Sequence, residues 1–232
     1  MNLFRKALFS GFLVGLMSVV SLGVAHATYY SNTFGVEVWS GPGTTDTANR
    51  ASQPKKPLFA NFLYTGPIDF VNNNGQNGSN TFLDFFGSKT SGISRYSGTV
   101  SLSSFLGTTM STPGFNDNSY LEFLFVYSGS GANVSVTHDD GASLYYTTDH
   151  GTVPVFESPS PTSAITTTGF LPGTSTVEFV GLIYVESNGA PAVLTMTMTP
   201  EPSTWLLFAT GLAGLLYFGR KKLVVMNAAS RI

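Results

Sequence analysis

Two acidic residues stand side by side in VTHDDGASLY, the stretch from Val136 to Tyr145, and the pair admits two chemistries. Asp140-Gly141, set between NVSVTH and ASLYY, is one of the strongest two-residue hairpin signals, because a tight turn needs positive φ at both positions. Asp139 would then be a flanking polar residue. Yet adjacent carboxylates repel one another unless water screens them or a cation sits between them. Calcium is the usual cation, since it accepts several carboxylate and carbonyl oxygens at loosely fixed geometry. A third chemistry would use the histidines. His138 and His150 flank Asp139, Asp140 and Asp149, and imidazole with carboxylates can hold a transition metal or form an acid–base pair. Against it, His138 falls in a strand pattern and His150 sits beside Gly151. The chain lacks Gly-x-Ser-x-Gly, His-Glu-x-x-His and a phosphate-binding glycine loop, and it has no cysteine to act as nucleophile. Glycoside hydrolysis needs only two carboxylates, so a glycoside-acting enzyme stays as an alternative to the expected non-enzymatic protein.

The elements that must position these residues read as strands. In SYLEFLFVYS, Leu121, Phe123, Phe125 and Tyr127 take one face while Tyr120, Glu122, Leu124 and Val126 take the other. In TVEFVGLIYVES, Val177, Phe179, Ile183 and Val185 oppose Glu178, Val180, Leu182 and Tyr184. In APAVLTMTMT, Ala192, Leu194, Met196 and Met198 alternate with Val193, Thr195, Thr197 and Thr199, the pattern of a half-buried strand. Further strands are expected at Gly35–Trp39, Leu58–Tyr64, Thr81–Phe86, Thr99–Ser103, Asn133–His138, Ser143–Thr147 and Val153–Glu157. The stretches SGPGTTDTANRASQPKK, VNNNGQNGSN, GTTMSTPGFNDNS and ESPSPTSAITTTG have loop composition, and no helix stands out between them. About ten short strands joined by such loops make an all-β, antiparallel β-sandwich the natural architecture.

The ends read differently. Arg5 and Lys6, an apolar run from Ala7 to Val24 and the small-x-small Ala25-His26-Ala27 follow the order of a secretory signal, so residues 1–27 are expected to be a signal peptide cut by signal peptidase. At the other end, Pro200-Glu201-Pro202 leads into an uncharged stretch from Trp205 to Gly219, closed by Arg220-Lys221-Lys222. Fifteen helical residues rise roughly 22 Å, short of the ~30 Å hydrocarbon core. Counting from Ser203, a short membrane helix at 203–219 is expected, with the basic cluster as its stop and 223–232 as a cytoplasmic tail.

Between the ends, residues 28–199 are long enough for one domain with its own core. They hold five Lys/Arg against twelve Asp/Glu, a net charge of −7 that disfavours nucleic acid as a partner. Without cysteine, packing and bound metal are the means of stabilisation open to this exported domain.

Pro-Glu-Pro-Ser-Thr-Trp, the Gly- and Leu-rich apolar segment and the basic cluster resemble the PEP-CTERM sorting signal over about residues 199–222. That resemblance implies recognition and cutting at Pro200-Glu201-Pro202 by an exosortase, a membrane-embedded cysteine transpeptidase. It also implies a Gram-negative exporter that makes exopolysaccharide. The protein would be held at the inner membrane until processed, then delivered to the cell surface or extracellular matrix. The tail after Lys222 departs from the family, whose members usually end at the basic cluster.

A second resemblance spans roughly 119–198. His138, Asp139, Asp140, Gly141, Leu144 and Tyr145, then Gly173, Phe179, Leu182, Tyr184, Glu186, Gly189, Ala192 and Leu194, are similar to the motifs of the protective-antigen-type β-sandwich of toxins, glycosidases and adhesins. Lectin-like members bind sugar through calcium held by an Asp-Asp pair, often joined by a cis peptide, and an Asn from a second loop. What carries over is a Ca2+ site at Asp139 and Asp140 with Asn188 as loop partner, and a polysaccharide ligand. Trp39 and Tyr29-Tyr30 are the visible candidates for sugar stacking, with ordinary packing the role more often taken by such residues. The expected function is therefore a surface or biofilm-matrix protein with calcium-dependent carbohydrate binding. The alternative to it is a structural subunit that assembles with itself and binds no ligand.

Overall fold

The computed structural model describes residues 29–30, 32–72, 78–129, 131–200 and 211–212. The signal-cleavage residues Ala25 and Ala27, the motif residues Glu201 and Pro202, and the stop residues Arg220, Lys221 and Lys222 lie outside them, as does all of the expected membrane helix except Gly211 and Leu212. Among the described residues no helix is long and apolar enough to cross a membrane.

Residues Thr28–Pro200 form one unit, an antiparallel β-sandwich. In chain order its strands are β1 (Tyr29–Tyr30), β2 (Thr33–Gly41), β3 (Ala60–Thr65), β4 (Asp69–Asn72), β5 (Asn80–Thr81), β6 (Ile93–Gly98), β7 (Thr109–Ser111), β8 (Asn118–Gly129), β9 (Ala132–His138), β10 (Gly141–Thr148), β11 (Gly151–Ser158), β12 (Ile165–Leu171), β13 (Thr174–Glu186) and β14 (Ala192–Pro200). The larger sheet runs β11-β10-β13-β8-β2-β3-β6, with β1 also paired to β8. The smaller runs β12-β9-β14-β4, and β5 pairs with β7 apart from both.

The period-2 pattern sets the two faces. Leu121, Phe123, Phe125 and Tyr127 of β8 and Val180, Leu182 and Tyr184 of β13 meet Ala192 and Leu194 of β14 in the main core. The opposite faces of β2, β8, β10 and β13 are apolar too, and Trp39, Tyr120, Tyr145, Ile183 and Val185 form a second, smaller cluster with Ala48. The segment 42–58 covers it as a strap. Trp39 Nε1 donates to Lys56 O at 3.1 Å, and Tyr120 Oη donates to Asn49 O at 3.0 Å. Arg50 pairs with the buried Glu122, which also accepts from Gln53 Nε2 at 3.2 Å. Trp39 is thus a packing residue, 5% exposed, the commoner of the two roles open to it from sequence.

Two expected strands are corrected. Phe82–Phe86 is a short helix (α1): Thr81 Oγ1 accepts from Asp84 N at 3.2 Å, Asp84 Oδ2 accepts from Thr81 N at 3.1 Å, and Gly87 ends the turn at φ +53. This is a capping box, legible in TFLD as Thr-x-x-Asp before an apolar run. Thr99–Ser103 is likewise the entry to helix α2 (Leu102–Leu106), capped by Ser101. The helices feed Phe82, Phe85, Phe86 and Phe105 into the core, where Phe82 and Phe105 stack with centroids 4.4 Å apart. Three strands lie where loops were expected: β4, β7 and the exposed edge strand β12. Another strand, β6, lies in a stretch left unassigned from sequence and pairs with the outer edge of β3.

Candidate functional site

The Asp-Asp-Gly stretch is no hairpin. β9 pairs with β12 and β14 in the smaller sheet, whereas β10 pairs with β11 and β13 in the larger one. Asp139 and Asp140 carry the chain from one sheet to the other. Both backbone amides are used on the way, Asp139 N donating to Val193 O at 2.9 Å and Asp140 N to Thr162 O at 2.8 Å. Asp140 sits at φ +66, in the left-handed region that Asp tolerates better than most residues. Gly141 serves close approach instead, since a Cβ there would lie 2.3 Å from Pro159 O and 2.9 Å from Ala48 Cβ. Gly141→Ala must therefore move backbone on both sides, and a loss of about 2–3 kcal/mol in thermal or urea unfolding is expected. An unchanged midpoint would mean that this junction gives way freely.

Asp139 and Asp140 line a cleft of about 290 Å³ with Phe115, Pro161–Ser163 and Ser187–Pro191. Asn188, which only the motif resemblance suggested, lines the same cleft two residues past the end of β13. The pair is only 7% and 6% exposed. One oxygen of each carboxylate is occupied: Asp139 Oδ1 accepts from Asp140 N at 3.1 Å, and Asp140 Oδ2 accepts from Ser187 N at 2.7 Å. Asp139 Oδ2 takes no hydrogen bond among the described residues, and the Asp140 carboxylate has only the Ser187 hydroxyl beside it as a further donor. The buried Ser187 hydroxyl makes no well-formed hydrogen bond either. Asn188, exposed at φ +66, accepts from Gly114 N through Oδ1 at 2.9 Å. The Asp139–Asp140 peptide is trans, the cis bond of this region being Ala190–Pro191.

Among the described residues no cation balances these charges. Burial pushes the Asp140 carboxyl up to about 7, with Asp139 and Asp46 adding to the rise and the Ser187 amide opposing it. Burial raises Asp139 as well. Behind them Glu186 is fully buried, accepting from Tyr184 Oη, from Ser111 Oγ at 2.9 Å and from Asn80 Nδ2 at 3.4 Å. Burial, then the charge of Asp140, holds the Glu186 carboxyl well above its ordinary range. Glu186 thereby ties β5 and β7 to the end of β13 from which Asn188 projects. Among the described residues no three His, Cys, Asp or Glu side chains converge, so protein carboxylates alone do not complete a metal shell.

The histidine cluster does not form. His138 is buried; its Nδ1–H donates to Asp140 O at 2.7 Å, which leaves Nε2 to accept from Thr167 Oγ1 at 2.9 Å. Burial lowers its pKa, so it is a neutral histidine satisfied on both nitrogens. His150 and Asp149 are exposed at the far end of β10, eight residues and about 25 Å along the strand. Phe115 is the residue sequence reading missed. It is an exposed aromatic on the cleft, in a loop whose Pro-Gly and Asn-Asp content signalled only a turn.

Beyond the cleft, β14 runs to Pro200, which pairs with Ala132, so the last strand leads directly into Glu201-Pro202. Residues 199–222 match the PEP-CTERM protein-sorting motif. A PEP-CTERM motif marks an exported chain sorted by an exosortase. No curated protein matches the chain in sequence. Among solved structures, the sandwich is similar to the PA14 (protective-antigen-type) domain of the MpAFP antifreeze protein, at 16% identity and a TM-score of 0.50 over 75% of this chain and 84% of that one. It is also similar to a PA14 sugar-binding domain from an RTX adhesin, at 14% identity and TM-score 0.46 over 72% and 90%. The A domain of subtype-switched epithelial adhesin 9 from Candida glabrata, solved with β-lactose, follows at 11% and 0.45 over 74% and 82%. The first of these likenesses shows the fold, a PA14-like β-sandwich.

Proposed function

We propose that this exported sandwich is a calcium-dependent carbohydrate-binding domain, delivered by exosortase sorting to the surface or matrix to engage exopolysaccharide. One observation carries the reading: two buried adjacent carboxylates line a cleft, and the charges acting on Asp140 are negative. Leaving such charge unpaired inside a protein is unfavourable, and a divalent cation offsets it. The donor set fits calcium. Hard oxygens come from Asp139 and Asp140, with the Asn188 amide and the Ser187 hydroxyl beside them, and no sulfur or free imidazole competes.

When bound, calcium supplies a charge that draws neutral hydroxyls from water. The chain's own residues do the rest. The Ser187 amide fixes the Asp140 carboxylate, and Asn188 stands at the open side of the cleft to discriminate hydroxyl patterns. With twelve acidic against five basic residues in the domain, phosphate-bearing ligands are disfavoured and neutral polyols are not.

The test is a glycan array probed with the purified protein in calcium and in chelator, beside Asp139→Asn/Asp140→Asn. Binding to a subset of glycans that chelator and the double substitution both abolish is expected. Binding indifferent to both would remove the carboxylate pair from recognition.

A further inference from the structure

The cleft has a second side that the carboxylates do not explain. Phe115 lies on it with 46% of its surface exposed, on a backbone held at φ +61. Either feature alone is unfavourable. An exposed phenyl ring forgoes burial, and a bulky side chain in the left-handed region is strained. Phe115 belongs to neither apolar cluster, and among the described residues no aromatic ring lies against it. The loop nonetheless holds it in place. Thr112 N donates to Asp117 O at 3.2 Å, closing the turn, and Gly114 N donates to Asn188 Oδ1 at 2.9 Å. One hydrogen bond therefore fixes the ring relative to the residue that stands beside the carboxylates. Strained residues of this kind cluster at binding sites, and this one lies on a cleft.

We infer that Phe115 is the stacking platform of this cleft, and that the ligand is a pyranose whose apolar C–H face lies on the ring while its hydroxyls face Asp139, Asp140 and Asn188. The inference rests on the carbohydrate reading above and narrows it. Acyclic polyols offer the same hydroxyls without a flat apolar face. Nucleotides offer a face, but their phosphates meet an acidic cleft. A neutral sugar ring satisfies both sides. Pro161 and Pro191 add rigid apolar wall and present no amide donor.

The test uses the full chain purified in detergent, with Phe115→Gly and Phe115→Trp. Methyl glucopyranoside, galactopyranoside and mannopyranoside serve as probes, with glucitol, galactitol and mannitol as ring-less controls. The wild type is expected to bind at least one pyranoside tenfold or more tightly than the matching alditol. Phe115→Gly relieves the positive φ, so it keeps the melting temperature and its calcium response yet loses about tenfold in pyranoside affinity and the preference over alditol. Phe115→Trp keeps that preference and gains a fluorescence change that sugar, and not calcium alone, produces. Equal pyranoside affinity in wild type and Phe115→Gly would overturn the platform while leaving the calcium–sugar site intact. A loss of affinity that merely tracks a fall in melting temperature would also overturn it. Failure of the calcium-loaded wild type to bind any of the pyranosides would overturn the platform and the carbohydrate reading together.

Discussion

Asp140→Asn is expected to make the calcium-free protein more stable. In the folded state burial pushes this carboxyl up to about 7, against 3.8 when unfolded. The folded form thus holds its proton through a window in which the unfolded form has lost it. The contribution of this one group to stability is fullest below about pH 3.8, declines as pH rises through about 7, and is flat above. The charged form costs about 4 kcal/mol at pH 8, which for a domain of this size is on the order of 10 °C in melting temperature. Asparagine carries no charge and still offers Oδ1 to the Ser187 amide. Calcium-free Asp140→Asn is therefore expected to melt higher than wild type at pH 8, by an amount that shrinks towards zero near pH 4. Melting curves in chelator between pH 4 and 8 check this directly. Equal melting temperatures at pH 8 would mean that the carboxylate is already neutralised or solvated. A residue whose removal stabilises the empty fold is kept for something other than the fold.

The second large effect lies under the strap. β2 and β8 are in a register that sets Glu37 directly opposite Glu122, two like charges on neighbouring strands. Glu122 is 1% exposed, and burial raises its carboxyl while Arg50 opposes the rise. Arg50→Ala strands that charge beneath residues 42–58, and a loss on the order of 3 kcal/mol is expected. This is the low end of the range for orphaned buried charges, because the Arg50 side chain is itself 41% exposed. Arg50→Ala/Glu122→Gln removes the stranded charge and should recover a good part of the loss. The coupling in a double-mutant cycle is the quantity to read. Additive effects would mean that Arg50 contributes packing only. The strap also carries Asp46 and Ala48, and Ala48 N donates to Pro159 O at 2.8 Å, so its loosening is expected to reach the Asp139–Asp140 junction.

Side-chain faces were legible from sequence wherever a strand is long and alternating. The inward sets of β8, β13 and β14 stand as their period requires, because a shift of one residue would turn every apolar side chain to the wrong face. Sheet membership was not legible. Asp140-Gly141 has every local mark of a hairpin, yet β9 and β10 find partners from residues 165–200, and no local signal encodes which sheet a strand joins. The helices at Phe82–Phe86 and Leu102–Leu106 carried their capping residues in plain view, but segments of five residues are too short for periodicity to separate helix from strand. Asp139, Asp140 and Asn188 were reachable through motif resemblance, and the fold brings them to one cleft. Trp39 packs, and Phe115, which no sequence signal singled out, lies exposed on the cleft. Burial under a strap and exposure on a strained turn are decided by residues far away in the chain.

The most direct measurement is a calorimetric titration of calcium into the metal-free protein at pH 7.5, with melting curves taken at saturation. One calcium per chain is expected, with about 2.7 kcal/mol of added stability at a hundred times the dissociation constant. Asn188→Ala should weaken that binding, and Asp139→Asn/Asp140→Asn should abolish it. A folded wild type that takes up no calcium at millimolar concentration, or a double variant that binds as wild type does, would contradict a calcium site at Asp139 and Asp140.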